Sequence, residues 1–179
     1  MPDITLTATP ALPPIPAKRG ETILSPAAAG VILTLPLLPT TAPSLEQVSL
    51  SLPACGESLS AQDTLVLRPV ADRIYLLDPP SGTQALLADL GQPVVDQSDY
   101  WVPILLQGPR ASEALARHWK PDLHPDVFPP GRTTRSTLGP IACILLREGM
   151  DGFRLFLPRS FARAGFAELA ETLDRLPDD

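Results

Sequence analysis

The chain has 179 residues, 44% of them apolar and 19% charged, with a formal net charge of -6. That length suits one domain with a proper core and leaves no room for two ordinary ones, while the charge density falls below the usual figure of about 25%, which leaves uncharged surface of the kind a buried subunit carries. The acidic balance excludes DNA and RNA as partners, because a phosphate backbone is held by a concentrated basic stripe and the sequence offers the single basic pair Lys18-Arg19.

The first residues, MPDITLTATPALPPIP, lack a charged region followed by an unbroken apolar run, so no secretory signal is expected. The most apolar stretch, 27–39, is interrupted by Pro36 and is too short for a membrane-spanning helix. The expectation is a soluble, cytoplasmic protein with no membrane partner. Cys55 and Cys143 lie far apart without metal-ligand spacing, as buried or neutral thiols of a reducing compartment do. Prolines recur through residues 1–53, and each removes a donor and clashes with the preceding turn, so no long helix fits there. Residues 1–60 therefore read as a proline-rich arm with the first strands, and 61–179 as an α+β domain. One strand is predicted at 31–35, and 44–52 suits either strand or helix. Residues 1–20 are either a mobile tail or a polyproline II arm lying along a partner, a choice the residues leave open.

From Thr64 the pattern sharpens. Leu65–Leu67 and Arg73–Leu77 form a hairpin about a turn at 69–72. Ser81 or Thr83 caps a short helix through Asp89, with Leu86, Leu87 and Leu90 on its buried face and Gly91 as its stop. Segments 93–98 and 100–107 are extended, with either a bend or a bulge at 96–99; Pro103 must lie where its missing amide is not needed. A helix opens after Gly108-Pro109 and stops before Pro121. The stretch DLHPDVFPPG is a stiff loop whose Leu123, Val127 and Phe128 need burial. Strands follow at 132–138, 141–147 and 153–157, and Ser160 caps a last helix, 161–176, with Phe161, Ala164, Leu169 and Leu173 inward. The class is α+β: antiparallel sheet with helices on one face.

Little in the sequence promises chemistry. His118 and His124 have no metal-binding partner spacing and read as structural. Cys143, inside the apolar run IACILL, should be inert, and activation of Cys55 would need a cationic neighbour that the sequence does not supply. No nucleophile elbow or phosphate-cradling glycine loop is present. Asp96 is the one carboxylate that could serve a cofactor; its alternative role is to bind backbone amides at the bend. Tyr100, Trp101, Trp119, His124 and Phe128 are the candidate interface residues, each of the aromatic ones a still better candidate for the core.

The blocks VVDQSDYWVPILLQGPRASEALAR, DLHPDVFPPGRTTRSTLG and FRLFLPRSFARAGFAELAETL resemble the gamma subunits of heterotetrameric sarcosine oxidases, a family related in fold to the folate-binding domain of aminomethyltransferases. The resemblance covers about residues 64–176; the DLHP, FPPG and PRSFA pieces narrow it to the gamma subunits. It implies a complex that demethylates sarcosine to glycine with tetrahydrofolate as one-carbon acceptor. The implied partners are an alpha chain with NAD and tetrahydrofolate, a beta chain with FAD and FMN, and a delta chain with zinc. The gamma chain then binds no cofactor, supplies no catalytic residue and serves contact and positioning. Residues 1–60 match poorly, which would also suit a subunit of a sibling complex such as N-methylglutamate dehydrogenase; the competing readings are a free-standing folate-binding protein using Asp96 and an assembly chaperone.

Overall fold

The computed structural model describes residues 10–12, 14–28 and 30–177. They form two antiparallel sheets packed face to face. The first has six strands in the order β1 (Ala17–Arg19), β2 (Thr22–Pro26), β8 (Trp101–Gln107), β11 (Gly152–Pro158), β10 (Ile141–Gly149) and β9 (Thr133–Leu138). The second has five: β4 (Ser58–Ala61), β5 (Thr64–Val70), β6 (Arg73–Leu77), β3 (Ile32–Pro36) and the short β7 (Val95–Asp96). Helices α1 (Thr41–Gln47), α2 (Thr83–Asp89), α3 (Ala111–Ala116) and α4 (Arg159–Asp174) cover the outsides.

Three clusters of apolar side chains make the core, and strand alternation assigns each residue to one of them. On β10, Cys143 and Leu145 face the layer beneath α3 and α4, while Ile144 and Leu146 face the other sheet. On β6, Tyr75 and Leu77 point between the sheets, and Ile74 and Leu76 join Leu45 of α1 and Leu87 of α2. Each sheet thus carries helices on one face and its neighbour on the other. That double burial is why runs such as IACILL and RIYLL are apolar throughout instead of alternating; each such side chain contributes about 1.5–3 kcal/mol of burial.

The hairpin β5–β6 forms as expected, but β5 runs on through Pro69 to Val70. The register slips between Leu67 and Val70, and this bulge accommodates a residue that has no amide to offer. Pro103 is accommodated differently. Its carbonyl accepts the Ala27 N–H at 3.1 Å, so its nitrogen faces the place where β2 ends.

Segment 44–52, which suits either strand or helix, contributes its first residues to helix α1. Other expectations need correction. Neither Ser81, Thr83 nor Ser160 caps a helix: α2 starts from Gly82 and α4 from Pro158, without side-chain capping bonds. Of the α2 leucines, Leu87 is buried while Leu86 and Leu90 face outward. Helix α4 begins at Arg159 and buries Ala162, Gly165, Phe166, Leu169 and Leu173, which leaves Phe161 and Ala164 outside. Strand β4 and the hairpin β1–β2 were not anticipated from the local pattern. Residues before position 60 therefore sit within both sheets, β2 beside β8 and β3 beside β6. Of the expected arm, 1–9 lies outside the described residues; Leu12 is buried in the helix-side core, and the Ala11 carbonyl accepts a 3.0 Å hydrogen bond from Arg163 Nε of α4. No helix among the described residues is long and apolar enough to cross a membrane.

Candidate functional site

The stiff loop between α3 and β9 is organised by one side chain. Arg147 on β10 is 2% exposed. Its guanidinium donates to the carbonyls of Leu123 at 2.8 Å, Phe128 at 3.1 Å and Gly149 at 3.0 Å, and to that of Met150. It also lies 5.1 Å from the Phe153 ring centroid, a cation–π distance. One buried cation thus satisfies carbonyls from both the loop and the β10–β11 turn, which fixes the two against each other. Nothing in the local pattern points to this role: Arg147 follows the apolar run IACILL and resembles any polar boundary residue.

The candidate interface residues divide by burial. Trp101, Trp119 and Phe128 lie inside the core, at 2%, 4% and 7% exposure, so they are not available to a partner. Trp101 stands edge-on to both Tyr75 and Tyr100, with centroids 6.1 and 4.9 Å away, and its Nε1–H donates to Gln97 Oε1 at 3.0 Å. Tyr100 and His124 are on the surface. Tyr100 is half exposed, and its carbonyl holds the start of α4 through the Arg159 N–H at 2.8 Å, which brings it to the same end of the sheet as the exposed Phe161. His124 accepts the Asp126 N–H at 3.4 Å, and its own amide donates to Asp122 at 2.8 Å. Val127, expected to be buried, is instead exposed beside this loop, as is Met150 at the β10–β11 turn. Phe128 takes the buried position, so its neighbour on the turn must point away. Val127, Met150 and Phe161 are among the exposed apolar residues that sequence reasoning did not single out.

Asp96 lies on the edge strand β7. Its Oδ1 accepts from the Ser98 hydroxyl at 2.6 Å and the Ser98 N–H at 2.9 Å, and these bonds, the hydroxyl's first, hold its carboxyl below the usual carboxylate range. Ser98 Oγ in turn accepts the Ile32 N–H at 3.0 Å, so the bend ties β7 to β3. Residues 96–100 border a shallow, open depression. A pterin ring requires a walled slot; this open depression has no such walls, while Asp96 keeps Oδ2 outside its bonds to Ser98.

The remaining chemistry-bearing groups are engaged elsewhere. His118 bridges α3 to α4, with Nε2 2.6 Å from Thr172 Oγ1 and Nδ1 3.2 Å from Glu168 Oε1. Burial pushes the Cys143 thiol far above its ordinary pKa, so it carries no nucleophilic thiolate at neutral pH. Cys55 is exposed in a turn. No cluster of potential metal ligands occurs among the described residues.

Two face-packed antiparallel sheets with outer helices define an aminomethyltransferase-like α+β fold. The glycine cleavage system aminomethyltransferase T from Bartonella henselae shares it with a TM-score of 0.60 at 23% identity, over 87% of this chain and 46% of that one, so the chain spans about half the length of that relative. Heterotetrameric sarcosine oxidase from Corynebacterium sp. U-96, solved in complex with pyrrole 2-carboxylate, contains a chain that matches with a TM-score of 0.79 and 25% identity, over 87% of this chain and 86% of that one. The profile of the sarcosine oxidase gamma subunit family matches residues 39–172. The protein belongs to that family. Among proteins of curated function, no sequence matches.

Proposed function

We propose that the chain is the gamma subunit of a heterotetrameric sarcosine oxidase-type complex, in which it holds and positions the catalytic subunits without supplying a reacting group. The observation that carries this reading is the family match over 39–172, joined to an end-to-end likeness with a chain of a heterotetrameric sarcosine oxidase. The internal use of its polar groups supports the division of labour: Asp96 is bonded to Ser98, His118 to α4, and Arg147 to backbone carbonyls. On this reading FAD, FMN, NAD, tetrahydrofolate and zinc reside on alpha, beta and delta partners, in the cytoplasm. Tyr100 and Phe161 at one end of the six-stranded sheet, and Val127 and Met150 at the other, are the apolar contacts offered to them.

The test is to purify the complex with and without this chain and assay sarcosine turnover. Activity that is lost or thermally fragile without it, and restored on adding it back, supports the reading. Full and equally durable activity in its absence overturns it.

A further inference from the structure

Helices α1 and α2 lie side by side on the outer face of the five-stranded sheet. Leu45 of α1 and Leu87 of α2 enter one apolar cluster, and Thr41 Oγ1, at the start of α1, lies 3.0 Å from Gln92 Oε1, just past the end of α2. Around this junction the surface is apolar. Leu86 and Leu90 stand one turn apart along α2 and its end and are 55% and 37% exposed. Leu38, 38% exposed, precedes α1 with its N–H donating to Thr41 Oγ1 at 2.8 Å. Single exposed leucines are ordinary on a monomer; three on neighbouring elements of one face make a patch, and such patches mark contact surfaces.

The same face is poor in charge, and what charge it has is of one sign. None of the chain's 14 Lys and Arg residues falls between Arg19 and Arg68 or between Arg73 and Arg110, the two stretches that supply α1 and α2. Each seven-residue helix carries a single charge, the exposed Glu46 and the exposed Asp89, whereas the sixteen-residue α4 carries five. Arg68, on the sheet beneath, has its guanidinium on the carbonyls of Pro53 at 3.3 Å and Ala71 at 3.1 Å, so it does not balance them. Depletion of charge is the compositional mark of an interface centre, and the two carboxylates set its rim.

An acidic rim selects among occupants. A second copy of the chain brings the same carboxylates and no cation to meet them, and an anionic lipid surface repels them. We propose that the α1–α2 face docks a different protein chain, through an apolar patch on that chain flanked by Lys or Arg. This rests on the assembly reading above: the partner is another subunit of the complex, and the contact is separate from those at the two ends of the six-stranded sheet.

The experiment compares hydrogen exchange in the purified four-chain complex and in the full chain alone, then assembles the complex from parent and variant co-expressed in equal amounts and distinguished by mass. Exchange across 41–47 and 83–89 should slow in the complex. Leu86→Lys, and separately Glu46→Lys combined with Asp89→Lys, should each enter the complex about tenfold less than the parent or worse. All three positions are exposed, so the variants should unfold at the parent's urea midpoint; if one does not, the exchange comparison on the parent decides alone. The proposal is overturned by unchanged exchange across both helices or by equal incorporation of either variant. It is also overturned if the free chain forms a dimer, or binds phosphatidylglycerol vesicles, in a way that Leu86→Lys abolishes. A parent chain that does not join the complex overturns the assembly reading and this face with it, whereas a parent that joins no better than the variants overturns this face alone.

Discussion

Arg147 illustrates how a residue's importance is set by what its neighbours lack. The carbonyls of Leu123 and Phe128 point inward from a loop that has no strand partner to satisfy them, and one guanidinium supplies the donors. Replacing it by methionine keeps the volume but strands those acceptors, so Arg147→Met should cost on the order of 3 kcal/mol or more in urea unfolding. Hydrogen exchange should accelerate first at the amides of the loop, 122–131. A stability loss without that local effect would mean the clasp is not what orders the loop. Cys143 makes a separate prediction. Its folded pKa is raised by burial, so above about pH 8.5 the unfolded chain releases the thiol proton while the folded chain retains it. Stability should fall as pH rises beyond that point, by about 1.4 kcal/mol per unit, and Cys143→Ala should remove that slope. The inertness of Cys143 was legible in IACILL, since an apolar strand dehydrates whatever it contains. The burial of Trp101, Trp119 and Phe128 was not decidable from composition, because a large aromatic, though more often core, also suits an interface.

Among the elements, the sequence was most readable where contacts are local. The β5–β6 hairpin, the strands from 133 to 158 and the final helix appear close to where periodicity places them. The phase of α4 went astray by one residue, because Phe161 is the strongest hydrophobe near its start and yet lies outside, while Ala162 and Gly165 take the buried positions. Gly165 is there because of packing: a Cβ at that position would come within 2.6 Å of Leu157 Cδ1. The β1–β2 hairpin was invisible for a different reason. Its strands are short and set among prolines, and the pairing of β2 with β8 joins residues some 80 positions apart, as in Ile23 with Gln107. That docking rests on Gly108, whose φ is +124° and whose missing Cβ would lie 2.5 Å from Thr22 Cα and 2.6 Å from the Glu21 carbonyl oxygen. Both obstacles are backbone and cannot swing aside. Gly108→Ala should therefore lower stability by roughly 2 kcal/mol or more, read as a drop in the urea midpoint, with enhanced exchange across 17–26. An unchanged midpoint would show that the hairpin adapts without strain.

For the molecule as a whole, two sheets share one inner layer and each is sealed by its own helices, so most aromatic bulk is spent inside. The exposed apolar side chains include Leu59, Leu86 and Val95 on the side of the five-stranded sheet and, at the two ends of the six-stranded sheet, Tyr100, Phe161, Val127 and Met150. Charge placed there tests the surface without touching the core: Phe161→Glu and Val127→Glu should leave unfolding within about 0.5 kcal/mol of the parent while weakening retention in the complex. Loss of stability in these variants would mark the residues as structural instead. On the proposed role, the chain works inside a larger assembly. Co-expression with the alpha, beta and delta chains of a sarcosine oxidase, followed by native mass spectrometry of the purified product, tests that most directly. The expected result is a four-chain complex that retains this subunit in stoichiometric amount; a complete oxidase formed by the other chains, with this one left as a free monomer, would contradict it.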